Sequence, residues 1–367
     1  HYRPWSGLEV MTMQNELYDS LDKLLADLDV PRDIRTLNEQ LTRASDRELD
    51  ATKLSDALQS SGFLDVLAPE EAGGAGLGWS QAWQVLFAAG RHGLPLPVGA
   101  TLYARAILAS VDAGGSSSPA STMTPAPASA MITMSGFVQH GPDGVMVVRD
   151  LPAARLAQYA MVQDHDTVYL LPMSKATLHD VSEAGCFDAQ ASWPRAVVNQ
   201  SIIGTAARGT LANGLALALA GQMAGAADRA LELTLLHANQ RTQFGKPIGK
   251  FQAVQQQLAQ MAEWVFSARM ASQIGAQSND WHVSAIPAAV AKTQASALAA
   301  SIADVAHGVH AAIGITYEYD LQLYTRRLYE WARLGGGASY WASQVGQQAL
   351  SHHSLLDFMR ESVFQEC

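Results

Sequence analysis

The sequence predicts a mostly helical α+β protein in which a small β domain lies between two helical regions. Apolar residues recur at helical spacing near both ends of the chain, and short runs rich in β-branched and aromatic residues fill the middle. We therefore predict an N-terminal helical domain over residues 1–112. A linker and a shortened β domain follow over 113–205, and a C-terminal helical bundle occupies 206–367.

In the first region, leucines three and four residues apart, from Leu17 to Leu28, predict an amphipathic helix. Three further helices are expected over 48–60, 80–90 and 100–111. Between them, residues 69–76 read PEEAGGAG and cannot form regular helix, because four of the eight residues are proline or glycine.

The middle and last regions differ in composition. Residues 113–129 are rich in glycine, serine and proline and predict a linker, whereas 130–205 hold short apolar runs separated by the turn signals HGPDG and QDHD. In the last region, alanine and glycine recur within long helices, as at Gly221 and Gly225. Small residues let helix backbones approach closely, which favours a tight bundle.

Composition excludes some classes of function. The net charge of -10 disfavours binding to nucleic acid. Only two cysteines occur, Cys186 and Cys367, so we expect no disulfide framework and a cytoplasmic location. No GxGxxG pattern follows a strand, and no metal site is expected. The longest apolar run, 215–227, is shorter than the about 18–20 residues of a membrane span, so none is predicted.

Residues 241–262 read RTQFGKPIGKFQAVQQQLAQMA and place an arginine at the end of one long helix, before a tight turn and a second helix. Arg241 can donate two hydrogen bonds to a phosphate, Gln243 can donate or accept, and Phe244 and Phe251 offer flat surfaces to a ring. The segment suits a ligand with phosphates and aromatic rings. From physics alone, an elbow between helices with a solvated arginine explains it equally well.

The same segment closely resembles the signature of the acyl-CoA dehydrogenase family of flavoproteins. In that family the arginine and the residues after it reach across a subunit interface to the diphosphate and adenine half of FAD. The resemblance implies FAD as cofactor, with these contact residues: Arg241, Gln243, Phe244, Ile248, Phe251, Val254, Gly308, Val309 and Ala312.

Two further segments agree in the same order. Residues 69–76 resemble the PEExGGxG loop of the family, and residues 310–327, HAAIGITYEYD followed by LYTRR, resemble its HGGxGxTxExD…LYxRR segment. The resemblance thus spans most of the chain. It implies an N-terminal α domain, a middle β domain and a C-terminal four-helix bundle, assembled as a dimer or a dimer of dimers.

The family's catalytic glutamate is missing from both of its usual places. Gly336 occupies one position and Leu215 the other. In the family, an arginine contacts the CoA diphosphate and a glutamine contacts the flavin diphosphate. The corresponding positions in this chain fall near Ala216 and at Gly308. The TEPxAGSD motif of the middle domain survives at best in residues 124–129.

Three other residues are weaker candidates for the catalytic base. Glu318 lies in a family motif, and we expect it to pair with Arg326 or Arg327. Glu330 is close in sequence to the expected site, but on a helix it lies almost two turns from Gly336. For His310, a buried and hydrogen-bonded side chain is expected rather than a general base. The catalytic residue therefore stays unknown.

Two hypotheses of different class remain. The first is an FAD-dependent enzyme that removes the α proton and β hydride of an acyl-CoA, passing electrons to an acceptor such as a flavoprotein. The second is a non-catalytic partner subunit of a heteromeric acyl-CoA dehydrogenase, which lends Arg241, Gln243 and Phe244 to a neighbour's FAD. A fold relative that lost flavin altogether is an outer possibility.

Overall fold

The computed structural model describes residues 6–43, 49–113, 129–180 and 186–362. The described helices are α1 Ser6–Asp27, α2 Val30–Arg43, α3 Thr52–Ser61, α4 Trp79–Arg91, α5 Val98–Ala113, α6 Arg195–Gln200, α7 Thr210–Gln240, α8 Gln252–Gly275, α9 Ala285–His310, α10 Leu321–Arg333, α11 Ala338–Leu350 and α12 Leu355–Ser362. The described strands are β1 Ile132–Ser135, β2 Gln139–His140, β3 Met146–Leu151, β4 Tyr159–Asp164, β5 Thr167–Pro172, β6 Thr177–His179, β7 Ala189–Trp193, β8 Ile202–Thr205, β9 Thr242–Gln243 and β10 Lys246–Pro247.

The order of helices, strands and helices confirms the predicted fold class. The long helix expected to end near residue 240 is α7, which spans 31 residues and ends at Gln240. The expected loop over 69–76 forms a short 3-10 turn, Glu70–Ala72, followed by Gly73 and Gly76 at positive φ. The segment 124–128, suggested for the TEPxAGSD motif, lies outside the described residues.

Two four-stranded sheets form the middle of the chain. One has the order β1-β4-β5-β8, with β1 parallel to β4, and the other has the antiparallel order β2-β3-β7-β6. Buried side chains such as Val162 and Trp193 join the sheets in one apolar cluster. The sheets thus pack face to face around a small core of their own.

The N-terminal helices pack on the C-terminal bundle through α4 and α7. Gly90 and Gly225 mark the crossing, because a Cβ on Gly90 would lie 1.9 Å from the carbonyl oxygen of Gln222. A Cβ on Gly225 would lie 2.0 Å from that of Phe87. The two backbones are therefore in direct contact. Helix α7 packs against both the N-terminal helices and the rest of the C-terminal bundle.

The bundle consists of α7, α8, α9 and α10, with α11 alongside α9. Residues 285–315, which include α9, are long and apolar enough to cross a membrane by length and composition, with a mean hydropathy of 1.4. The expectation that no segment passes this test was wrong, because single polar residues such as Lys292 and Asp304 interrupt the run. In the described chain this helix packs against α7, α8, α10 and α11.

Candidate functional site

A cavity of about 920 Å³ lies between the β sheets and the C-terminal bundle. Its walls come from the ends of β1 and β4, the first turns of α7 and α9, and the loop after α10. The sheet approaches α7 closely at Gly136, where a Cβ would lie 2.7 Å from that of Ala212. The aromatic side chains in the wall are Phe137, Tyr340 and Trp341.

The glycine loop after α10 occupies the place where the family resemblance leads us to expect a glutamate. Gly335 and Gly336 have φ values of +63° and +92°. The indole Nε1 of Trp341 donates a hydrogen bond to the Gly335 carbonyl at 2.9 Å. A Cβ on Gly336 would lie 2.7 Å from Tyr340 Cδ1 and 2.9 Å from Trp341 Nε1. A side chain at position 336 therefore has neither the backbone conformation nor the space it needs.

The second expected position for the base lies on the other side of this loop. A Cβ on Gly335 would lie 3.0 Å from Leu215 Cδ2, so the two expected positions adjoin in space. Neither contributes an acid. Ala216, where an arginine for the CoA diphosphate was expected, is fully buried and packs in a cluster with Trp341.

Proton-accepting side chains line the cavity only from the sheet side, within the described residues. Asp164 lies at the end of β4, with Oδ1 2.9 Å from His165 Nδ1 and Oδ2 2.8 Å from His140 Nε2. This carboxylate orients the His165 ring, and in the described chain the other ring nitrogen, Nε2, stays free. Asp150 is the second acid in the wall.

Three arginines in the cavity wall lack a carboxylate partner. Arg149, Arg208 and Arg333 line it, and they form no hydrogen bond or ion pair with the described chain. Three arginines and two acids, Asp150 and Asp164, give the wall a net positive charge, although the chain as a whole is acidic. Such a wall favours an anionic, phosphate-bearing ligand.

The elbow predicted at 241–251 is an exposed β-hairpin. Strands β9 and β10 pair antiparallel, and Phe244 and Gly245 form the turn with φ values of +50° and +79°. Phe244 is 93% exposed, and its ring meets Phe251 edge-on at 6.2 Å. Arg241, Lys246 and Lys250 give the tip its charge. An uncovered phenylalanine beside three cations suits contact with another molecule.

The structure brings the elbow together with the second predicted cofactor segment. Ile248 and Val254 pack in one apolar cluster with Val309, which fixes the hairpin against the end of α9. Gly308 is exposed, and a Cβ there would meet nothing within 4 Å. Ala312 is also exposed, after Ala311, which has φ +54°. The family pattern has glycine at 311, and alanine in this conformation is strained.

The elbow and the cavity lie at opposite ends of α7. Asn213 lines the cavity, and Arg241 follows the last residue of the helix. At 1.5 Å per residue these positions lie about 40 Å apart. This is farther than one dinucleotide reaches, so the elbow and the cavity of one chain cannot both contact the same dinucleotide.

Two histidines connect the elbow to the end of α9. The rings of His237 and His310 stack with centroids 4.4 Å apart. His310 is buried, and its Nδ1 lies 2.8 Å from the Ala306 carbonyl, as expected for a structural histidine. Burial lowers the pKa of both rings, and Arg241 lowers that of His237 further. Both are therefore neutral at pH 7.

The other acids considered from the sequence point away from the cavity. Glu330 is buried, and its Oε2 lies 2.5 Å from Arg327 Nη1. Arg327 is therefore paired with Glu330 and not with Glu318, which is exposed. Neither glutamate lines the cavity.

A buried lysine supports the glycine loop from inside the bundle. Lys292 on α9 is fully buried, and its ammonium donates hydrogen bonds to Ser296 Oγ and to the Trp331 carbonyl in the last turn of α10. Burial lowers the pKa of Lys292 to about 7. Because the bond to Trp331 lies just before Gly335, this side chain helps to fix where the loop begins.

Sequence reasoning missed most of the cavity wall. The expected position of the base led to Gly336, which does line the cavity. By contrast, QDHD at 163–166 was interpreted only as a turn, although Gln163, Asp164 and His165 line the cavity. No signal in the sequence singled out Phe137, Arg149 or Arg208.

Comparison with known proteins agrees with this architecture. Residues 204–349 match the family model described as acyl-CoA dehydrogenase, C-terminal domain. The chain is 37% identical to acyl-CoA dehydrogenase IpdE2 of Mycolicibacterium smegmatis over 126 residues. That alignment covers 34% of this chain and 39% of the relative.

Solved structures extend the similarity to nearly the whole chain. The crystal structure of the ChsE4-ChsE5 complex from Mycobacterium tuberculosis superposes with a TM-score of 0.76 at 20% identity, covering 93% of this chain and 98% of that one. A glutaryl-CoA dehydrogenase from Mycobacterium smegmatis in complex with FADH2 gives 0.72 at 14% identity, covering 97% and 100%. At these identities the likeness shows a shared fold.

Proposed function

We propose that this chain, whose C-terminal bundle matches the acyl-CoA dehydrogenase family model and whose fold is that of the ChsE4-ChsE5 complex, catalyses the FAD-linked α,β-dehydrogenation of an acyl-CoA thioester. It acts in an oligomer in which the elbow of each chain completes a flavin site on its neighbour. The observation that carries the proposal is the pair of features at the two ends of α7, a large cationic cavity and an exposed cationic hairpin.

The residues present fit a flavin dinucleotide. At the elbow, Arg241 and Gln243 suit a diphosphate, and Phe244 and Phe251 suit an adenine ring. At the cavity, Phe137 and Tyr340 offer flat walls, and the arginines without a carboxylate partner favour phosphate. The bound flavin would supply the acceptor for the β hydride.

The proton acceptor must come from outside the two usual positions. We assign it to His165, oriented by Asp164, because this pair lines the cavity and leaves His165 Nε2 free. A histidine held by a carboxylate is a common general base near neutral pH.

The experiment is an anaerobic titration of the purified protein with a panel of acyl-CoA thioesters, followed through the flavin absorption band. We expect the band to bleach with one class of thioester. His165→Asn should slow bleaching about 100-fold or more, the scale of a lost general base, and Asp164→Asn should also slow it, because the ring loses the carboxylate that orients it. Asp166→Asn is the matched control, because Asp166 is exposed in the same turn and does not line the cavity. A yellow protein that no thioester bleaches would refute the proposal that this chain oxidises an acyl-CoA by itself.

A second candidate is a partner subunit without catalysis of its own. The crowding of Gly336 by Tyr340 and Trp341 favours it, since a side chain at the usual base position would have no room. The similarity to a complex of two named components, ChsE4 and ChsE5, agrees with it.

One assay distinguishes the two candidate functions. A partner subunit gives no bleaching alone and restores bleaching when a companion chain is added. In that assembly Arg241→Ala should abolish activity although the catalytic cavity belongs to the companion. Arg32→Ala, exposed on α2, is the matched control.

A further inference from the structure

A second, small cavity lies beyond the glycine loop, where α5, α7 and α10 meet the end of β3. Its volume is about 20 Å³, enough for one water-sized group. Leu215 and Leu219 line it, and a Cβ on Gly335, which lines the large cavity, would lie 3.0 Å from Leu215 Cδ2 and 3.4 Å from Leu219 Cδ1. The two cavities are therefore close to each other on either side of these leucines.

Gln222 on α7 lines the small cavity, and among the described residues its side-chain amide has no hydrogen-bond partner. The residue is only 4% exposed. Its Oε1 lies toward α5, where a Cβ on Gly99 would come within 3.3 Å of it. A buried amide normally finds a partner, because leaving it unpaired costs about 1–3 kcal/mol. This amide is therefore available to a group that enters the cavity.

Arg327 also lines the small cavity with unused donors. Among the described residues its ion pair runs to Glu330, and its guanidinium stacks over the Phe187 ring at 5.1 Å. A guanidinium has five donors, so most of them remain available. Asp188 completes the polar wall, with Oδ1 accepting from the Ala153 amide at 2.8 Å and Oδ2 from Cys186 Sγ at 3.0 Å.

The charges decide which group fits. Arg327 is balanced by Glu330, so the pair is neutral. Asp188 adds a buried carboxyl whose pKa burial raises to about 6. An incoming carboxylate would meet two acids and one cation, which is unfavourable in a buried site. A neutral oxygen that accepts from Gln222 and Arg327 avoids this repulsion.

We propose that this cavity, formed by Gln222, Arg327 and Asp188, recognises an uncharged oxygen, a ketone or hydroxyl group, on the distal part of the acyl chain. The inference rests on the proposed function, since it requires that an acyl thioester enter the large cavity. It names the substrate class: acyl-CoAs whose chain carries a neutral oxygen away from the thioester.

The path between the cavities passes Gly335. Leu215 and Leu219 are buried beside the glycine loop, so an acyl chain along the loop reaches Gln222 only when these two side chains move. Trp331 lines the small cavity beside these leucines.

The test uses the full chain and pairs of acyl-CoA thioesters of equal length, one plain and one with a keto or hydroxyl group along the chain. Binding is followed by the total tryptophan fluorescence of the protein and by thermal shift, which need no turnover. Wild type should bind at least one oxygenated thioester about 10-fold or more tightly than its plain counterpart. Gln222→Met, which keeps the shape and removes the amide, should erase this preference. Gln200→Met, exposed in the sheet region, should keep it.

The possible outcomes are distinct. Equal binding of every pair by wild type would overturn the inference and leave the cavity as a site for a structural water, while the proposed function stands. The inference is overturned in the same way if Gln222→Met weakens both members of a pair equally. Failure of wild type to bind any thioester would overturn the proposed function and the inference together.

Discussion

At the scale of single residues, Gly336 shows that a side chain at the position expected for the base would require more than one substitution. Its positive φ and the rings of Tyr340 and Trp341 leave no room for a side chain. Gly336→Ala should therefore lower the free energy of unfolding by about 1–3 kcal/mol. Gly336→Glu should be at least as destabilised and should not gain activity.

Urea unfolding measures this effect, and Gly337→Ala is the matched control. Gly337 has φ -82°, and a Cβ there would meet only the Ala332 carbonyl at 3.8 Å. We expect little change in that variant. A Gly336→Ala protein as stable as wild type would show that the loop relaxes and that crowding does not exclude a side chain.

Lys292 gives a prediction about pH. Its folded pKa of about 7 lies below the ordinary value of a lysine, so between these values the unfolded chain binds a proton that the folded chain does not. The cost of burying the ammonium is fully present below pH 7 and is relieved as the pH rises. This residue should thus raise wild-type stability by about 1.4 kcal/mol per pH unit from about pH 7 to 10.

Lys292→Met should remove that contribution, so the stability difference between variant and wild type should change with pH over the same range. Denaturant unfolding at several pH values measures it. Lys23→Met, exposed on α1, should leave the pH profile unchanged. Parallel profiles for wild type and Lys292→Met would contradict a neutral buried amine.

Sequence reasoning identified Gly336 and Leu215 because both are departures from a long motif with fixed spacing. It did not identify Gln222, Asp188 and Arg327 as neighbours, because they come from α7, the start of β7 and α10. Their meeting depends on tertiary packing, and no local pattern encodes it.

At the scale of elements, the crossing of α4 and α7 depends on glycine. Gly225→Ala should destabilise the protein by about 1–3 kcal/mol, because the new methyl group would overlap the Phe87 carbonyl. The better helix propensity of alanine offsets only about 1 kcal/mol of this.

Gly346→Ala is a control with the opposite sign. Gly346 lies within α11, and a Cβ there would meet nothing within 4 Å, so alanine should stabilise the protein slightly. Thermal unfolding compares the two variants. An increase in stability for Gly225→Ala would show that the helices separate without penalty.

Helices α1, α3, α4, α5, α7 and α8 were predicted because apolar periodicity and glycine or proline breaks are local signals, whereas α2 was not predicted. The end of α7 at Gln240 and the turn at Phe244 and Gly245 followed from them directly. The parallel pairing of β1 with β4 was not predicted, since strand partners distant in sequence leave no local signal.

At the scale of the whole molecule, the separation of elbow and cavity predicts complementation. Asn213→Trp, in the cavity wall, and Arg241→Ala, in the elbow, should each lose flavin. In a homo-oligomer with shared sites, co-expression should restore about a quarter of the sites, because a mixed pair keeps one intact site.

Flavin content per chain, read from the visible spectrum after co-expression, measures this restoration. Asn213→Trp co-expressed with Asn213→Trp is the control and should stay colourless. Recovery supports a homo-oligomer that builds its own sites. Its absence would point to the second candidate, in which a different chain supplies the missing half.

The length of α7 also affects how this protein can change over generations. Substitutions about 40 Å apart rarely influence each other's energetic effect, so the cavity and the elbow are free to vary separately. If each elbow completes a site on a neighbouring chain, as proposed, a lineage can lose proton transfer at one end of the helix while the other end stays under selection. Dependence on a partner then arises step by step, with no intermediate in which the assembly stops working.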